Sequence, residues 1–402
     1  MRAYEQSKWN RLAALLLAVA PGLAFAGENP EWLKRLQLHA FFSQGYVHTT
    51  HNRFMGDSEE GSFDFREAGV NFSLRPSPDW LFSAQLLSRK AGEMSNGSVN
   101  LDYGLVDFTP FSNETWRIGV IGGRFKNPVG LYNDTRDVPF TRPSVFLPQS
   151  IYWEKLRDIM LSSDGGQFHG ELFHGRHSLL LQLGMGHFTS NENLEWVYLG
   201  NDWPGGFEND GLNRVGRLQY EFEEGRIRLA LSGIEANLRF EAEPGPPTVG
   251  SGKTRIDYWV ASFQYNDERW SLTAEYMREP VEWKSYLLPS LNNFKEAEGY
   301  YLQGTWRPTE RWEVLLRYDA AYLDRHDRDG SQQSSHTGLP AHHYFSRIWS
   351  LGLTWNITNQ MMVRGQFDIA DGTAPLSIRE NRDPAAMEPH WEQFSLLFSV
   401  GF

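Results

Sequence analysis

Between Arg124 and Asp158 the chain carries ten charges of both signs: Arg124, Lys126, Arg136, Arg142, Lys155 and Arg157 against Asp134, Asp137, Glu154 and Asp158. They alternate with Phe125, Tyr132, Phe140, Phe146, Tyr152 and Trp153, and with Pro128, Pro139, Pro143 and Pro148, which stiffen the segment. Two kinds of chemistry suit such a set. Opposed charges held apart across a narrow space create a transverse field that sorts solutes by charge and dipole. The same charges can instead pair, Asp134, Arg136 and Asp137 with one another and Glu154 with Arg157, and fix the backbone. Arg124, Lys126, Asp134, Arg136, Asp137 and Arg142 are the candidates for lining a constriction.

Other clusters carry less. His169, Glu171, His174 and His177 could suggest a metal site, but "FHGELFHGRH" crosses a tight turn, and exposed polar histidines are the better reading. "DRHDRDG" (324–330) is acidic like a calcium loop, yet the EF-hand register would put Arg325 at position 1 and His336 at position 12. Weak loop binding of a divalent ion is the most it suggests. There is no P-loop, no G-x-S-x-G elbow and no zinc spacing. The chain has no Cys, which removes disulfides and thiolate metal sites. A formal charge of −12 and the lack of a basic stripe argue against nucleic acid. No metal, cofactor or catalysed reaction is expected.

What would hold the charged segment in place is a series of short alternating stretches. Sixteen recur: 36–48, 66–75, 80–89, 100–110, 116–125, 166–173, 177–188, 214–223, 226–236, 257–266, 270–279, 299–307, 312–323, 344–356, 360–370 and the closing "HWEQFSLLFSVGF". Alternation of apolar and polar residues is the period-2 signal of a strand. Tight turns such as "PSPD", "HGR", "EEG" and "PTER" join strands 2–3, 4–5 and so on, while the other connections are long, polar and rich in Gly and Pro. The longest, 126–165, contains most of the charged segment. Trp80, Trp116, Trp270 and Trp312 start strands just after tight turns; Phe222, Tyr265, Trp306 and Trp355 end strands just before them.

The start of the chain sets the context. Arg2, Lys8 and Arg11 precede the short apolar run "LAALLLAVAPGLAF", and "AFA" ends at Ala26 in a small-x-small pattern. This is the form of a secretory signal peptide over 1–26. Removing three bases and one acid with it would take the formal charge from −12 to −14. After residue 26 no apolar run approaches the ~18 residues of a membrane helix. Barrel strands escape that test, because alternation averages out in hydropathy.

Short turns on one side, long loops on the other, and aromatic strand ends beside the short turns are the pattern of a membrane β-barrel. The sequence therefore predicts an all-β fold over 27–402: a 16-stranded antiparallel transmembrane β-barrel with short periplasmic turns, long extracellular loops and 126–165 folded inside as a constriction. Outward positions are apolar, for example Ala68, Val70, Phe72 and Leu74, or Leu179, Leu181 and Leu183. Opposite faces place Arg217, Glu221, Arg228, Arg317, Asp319, Arg364 and Asp368 on the lumen wall. Strand parity would turn Arg124 outward with Trp116, Ile118 and Val120, so a bulge at Gly122–Gly123 is expected to re-aim it.

With these features in place, the chain resembles Gram-negative outer-membrane porins. "FSLLFSVGF" is similar to their C-terminal assembly signal, which ends in Phe, and the resemblance assigns Phe394, Phe398, Val400 and Phe402 to recognition by the barrel-assembly machinery. "GRFKNPVGLYNDTRD" (123–137) resembles porins of the phosphate-selective O and P type. Those line their lumen with many Lys and Arg, whereas this chain has few Lys and is acidic. The resemblance implies passive diffusion of small hydrophilic or charged solutes, a homotrimer, and contact with outer-membrane lipid and lipopolysaccharide. Two other readings suit the same barrel: a plugged structural or adhesion barrel, and a barrel enzyme such as a lipase or protease, which would need a Ser/His or Asp/His set.

Overall fold

Alternation along the chain becomes one antiparallel sheet of seventeen strands in the computed structural model, which describes residues 35–246 and 248–402. The expected leader, 1–26, lies outside the described residues. In chain order the strands are β1 (Leu36–Thr49), β2 (Ser62–Ser77), β3 (Trp80–Ala91), β4 (Ser95–Ser112), β5 (Trp116–Lys126), β6 (Ser162–His174), β7 (His177–Phe188), β8 (Gly205–Asn209) and β9 (Asn213–Phe222). They continue as β10 (Ile227–Ala242), β11 (Gly252–Asn266), β12 (Trp270–Lys284), β13 (Phe294–Thr309), β14 (Trp312–Tyr322), β15 (Phe345–Thr358), β16 (Met361–Asp371) and β17 (His390–Gly401). All sixteen expected strands form.

β8 is the addition. Its five residues pair only with the far end of β10, from Leu238↔Asn209 to Ala242↔Gly205, prolonging the line of β9. The barrel therefore has sixteen spanning strands. It closes where β1 pairs with β17, from Phe41↔Gly401 to Thr49↔Gln393. Closure leaves each of the sixteen spanning strands paired on both sides, which is what a sheet needs where lipid offers no hydrogen bonds. The last residue is tied in as well: Phe402 N donates to Ala40 O at 2.8 Å, and Ala40 N donates to Phe402 O at 3.2 Å.

The two faces of the wall are inverted relative to a protein in water. Along β17 the exposed residues are Phe394, Leu396 and Phe398, at 42, 40 and 37% exposure, while Ser395, Leu397 and Ser399 between them are fully buried. Leu183, Leu231, Leu316, Trp349 and Leu351 on other strands are likewise exposed. Apolar outer rows of this extent fit a hydrocarbon surround. Beside the short turns the aromatics meet across strands: Trp312 stacks on its register partner Trp355 with centroids 5.5 Å apart, and Trp80 lies 4.4 Å from its partner Phe108.

The inner wall is not uniformly polar. On β9 to β13, Val215, Ile234, Tyr258, Val260, Met277 and Tyr301 form an apolar patch inside the barrel. An apolar patch in a water-filled lumen would favour whatever covers it, by about 25 cal/mol per Å². The long third loop does so.

At the long-loop rim three loops are stitched together by one carboxylate. Glu380, between β16 and β17, accepts from the backbone N–H groups of Met55 (3.1 Å), Gly56 (2.8 Å) and Glu93 (3.1 Å). Asn381 beside it exchanges hydrogen bonds with the backbone of Arg53. Glu380→Ala would leave three inward amides unmet, each costing roughly 1–3 kcal/mol if it stays buried. We expect faster amide exchange and new protease cuts at 51–61 and 91–94 with the barrel intact. Unchanged protection there would contradict the stitch.

His343 lies in the loop between β14 and β15. Burial pushes its imidazole down to about 4, and Lys155, His342 and Lys295 push the same way. An unfolded imidazole takes its proton near ~6.5. Between these values the unfolded chain binds the extra proton, so stability falls as pH drops from ~6.5 through about 4. His343→Phe should flatten that part of a plot of unfolding midpoint against pH; an unchanged slope would reject the assignment.

Candidate functional site: the loop inside the barrel

The third long loop, 127–161, leaves the end of β5, crosses the lumen and returns to β6. Its apolar residues set the path. Leu147, Ile151, Tyr152 and Trp153 pack against the inner patch on β9 to β13, and Val145 and Phe146 join Val47, Phe65, Ile348 and Leu397 on the opposite side. Gly299 on β13 permits the closest pass, since a Cβ there would lie 2.1 Å from the Ser150 carbonyl oxygen.

Wall side chains then take the loop's backbone. Glu275 on β12 accepts from Leu131 N (2.9 Å), Tyr152 Oη (2.6 Å), Ser262 Oγ (2.6 Å) and Tyr301 Oη (2.8 Å). Ser232 Oγ on β10 accepts from Gly130 N at 2.8 Å, and Tyr258 Oη on β11 donates to Ile151 O at 2.6 Å. Asp319 Oδ2 accepts from Gln149 N at 2.9 Å, and Gln366 Oε1 accepts from Phe146 N at 3.0 Å. Arg317 donates to Ser144 Oγ and Phe146 O; Arg364 donates to Pro139 O and Ser144 O. The loop is thus moored to both sides of the barrel.

Charges close the remaining side as a buried alternating chain. Arg142 Nη2 meets Glu67 Oε2 at 2.6 Å, Arg89 meets Glu67 at 3.1 Å and Glu154 at 2.6 Å, and Arg136 meets Glu154 at 2.9 Å. Beside it, Asp137 is held by Lys126 and Arg157, and Lys126 also reaches Asp102. Buried pairs of this kind are weak evidence of net stability but costly to break.

Each anticipated residue can now be placed. Arg136, Arg142, Asp137 and Lys126 lie in these pairs, so the charges serve to fasten the loop, with Arg142 also edging a recess below it. Asp134 meets Arg217 at 2.9 Å. The expected bulge at Gly122–Gly123 does not form: β5 pairs without a shift from Phe108↔Val120 to Gly104↔Arg124 on one side, and along its whole length with β6 on the other. Arg124 therefore keeps the parity of Trp116, Ile118 and Val120 and sits at the rim against Thr189, with Asp164 at 3.7 Å. Of the wall residues, Glu221 and Arg228 pair at 2.7 Å below the loop, while Arg317, Asp319 and Arg364 are covered by it. Asp368 accepts from Gln366 at 2.9 Å. Phe394, Phe398 and Phe402 face outward.

Arg89 and Asp102 were not singled out from the sequence, and Glu67 and Glu275 are read there only as polar positions of the inner face. Their inward parity was readable for Glu67 and Glu275, but not which loop atom each would meet.

Polar recesses lie on both sides of the loop. One of about 630 Å³ opens toward the long loops and is lined by Arg89, Asp102, Glu154, Arg157, Asn193 and Arg379 among others. Another, of about 270 Å³, lies beneath the loop against the short-turn ends of β11 to β16. The chain forms a sixteen-stranded closed barrel with its third loop folded inward. The fold is the porin fold. Among solved structures, the chain is similar to OmpT of Vibrio cholerae in its trimer form (12% identity, TM-score 0.57, covering 91% of this chain and 99% of that one). It is also similar to the anion-selective porin of Comamonas acidovorans (11%, 0.55, 91% and 99%) and to Salmonella typhi OmpF complexed with daunomycin (12%, 0.54, 91% and 97%). No protein-family model and no curated protein matches the chain.

Proposed function

We propose that the protein is an outer-membrane porin, through which small hydrophilic or charged solutes diffuse passively past the inward-folded third loop. The observation that carries this reading is the loop itself, moored across a lipid-facing barrel with polar recesses above and below it. Phosphate selectivity, which the 123–137 stretch would imply, is left out of the reading, because Lys126 is occupied by Asp102 and Asp137 and Arg124 turns to the rim. The reading includes the expected leader at 1–26, assembly through Phe394, Phe398, Val400 and Phe402, a homotrimer, and an outer wall in lipid and lipopolysaccharide.

The density of buried pairs and apolar contacts around the loop favours one rival, a plugged barrel whose outer loops do the binding. Single-channel recording in a planar bilayer under a KCl gradient separates the two. A porin gives steady open steps, and the reversal potential reports the sign of the charge that the permeant ions meet. A folded barrel without current would select the plugged reading. The detergent-solubilised protein is expected not to hydrolyse phospholipid or peptide; turnover would favour the enzyme.

A further inference from the structure

The recess beneath the third loop has an unbalanced chemistry. Arg364 is buried on its wall, yet among the described residues no carboxylate oxygen lies within 4 Å of it. Its Nε donates to Thr354 Oγ1 at 3.0 Å and its Nη1 to the Pro139 and Ser144 carbonyls. Its Nη2 has only the Met362 sulfur, at 3.2 Å. A thioether is a weak acceptor, so Arg364 has no ion pair of its own in the recess, where the lining carboxylate Glu313 is taken by Arg307. The other cations there are matched: Arg142 by Glu67 and Arg307 by Glu313.

A second observation points the same way. Gln303, only 1% exposed, lines the recess and its Oε1 has no hydrogen-bond partner. A buried acceptor left unmet asks for a donor. Asn356, Thr305 and Ser271 add amide and hydroxyl groups around it, and Tyr132 and Phe140 form an aromatic roof. The volume of about 270 Å³ equals the share of about nine liquid waters.

From this we infer that the recess is a solute subsite for a small polyhydroxylated monocarboxylate. The carboxylate meets Arg364 Nη2, which offers one charge-assisted donor. A solute hydroxyl donates to Gln303 Oε1, and the carbon skeleton lies under Tyr132 and Phe140. A neutral sugar of the same size satisfies the amides but leaves Arg364 without its anion. The inference rests on the porin reading for how the solute arrives.

The test uses gluconate as the probe and glucose as its neutral counterpart, with the full-length barrel in a planar bilayer and, separately, in detergent. Gluconate should reduce the KCl current saturably, with a half-blocking concentration at least tenfold below that of glucose. Arg364→Gln should abolish the preference, leaving the two solutes alike. Because Arg364 also holds the loop, Gln303→Leu serves as the second variant: it leaves those contacts alone and should weaken both solutes severalfold. Current that gluconate and glucose affect equally in the parent protein would overturn the subsite while leaving the porin intact. Calorimetric binding of gluconate to a barrel that carries no current would keep the subsite and remove the porin reading.

Discussion

Deleting 131–150 is expected to raise the single-channel conductance severalfold while the barrel still forms. The deletion removes Arg136, Asp137, Arg142, Phe146, Leu147 and Gln149, and with them the moorings to Glu67, Asp319 and Gln366. The flanks rest on one wall residue: Tyr152 Oη accepts from Leu131 N at 2.8 Å and donates to the Glu275 carboxylate, and Tyr152 keeps that second bond after the deletion. None of the sixteen spanning strands loses a ladder hydrogen bond. The wall patch of Val260, Met277 and Tyr301 loses Leu147 from its cover while Ile151, Tyr152 and Trp153 remain, which costs some stability but admits water to the lumen. Arg317, Asp319, Arg364 and Asp368 would then face that water, and the reversal potential should shift with the change in exposed fixed charge. Conductance unchanged from the parent would show that 131–150 is not the constriction.

The barrel was legible in the sequence because its signal repeats. Each strand states its two faces by alternation, and errors in one segment are corrected by its neighbours on both sides. The pattern fixed sixteen strands and the side of each turn, and it placed Arg217, Arg317 and Arg364 on the inner face. It missed β8, whose five residues, "GGFEN", are too short to alternate and follow β9's line only through pairing with β10. The site was less legible. Mixed charges in 124–158 allowed either a transverse field or mutual pairing, and many of the partners lay elsewhere: Glu67 is 75 positions from Arg142, and Glu275 is 144 from Leu131. Nothing local encodes such contacts. Arg124 shows the opposite case. Parity alone turned it outward, and the expected bulge at Gly122–Gly123 was added to rescue a role; the unbroken pairing of β5 with β4 and β6 upholds parity.

Glu67→Ala should be among the most damaging single substitutions on the wall. Glu67 is fully buried and stands between Arg89 and Arg142. Arg89 retains Glu154 when the carboxylate goes. Arg142 has no second carboxylate within 4 Å among the described residues, so a buried guanidinium is stranded. Removing one partner of a buried pair costs roughly 3–5 kcal/mol, mostly from the charge left behind. The barrel has one cheaper escape: Arg142 swings out to water and draws Ser144 off Arg317 and Arg364. Either way, the temperature at which the folded band is lost on a gel should drop, or the open channel should become noisy. The double variant Glu67→Ala, Arg142→Ala separates pairing from packing, because it removes the stranded charge as well. It should recover much of the single variant's loss, a coupling that independent sites do not show. If the double variant loses the sum of the two single losses, Glu67 and Arg142 do not act as a pair, and the loop is held by its other moorings.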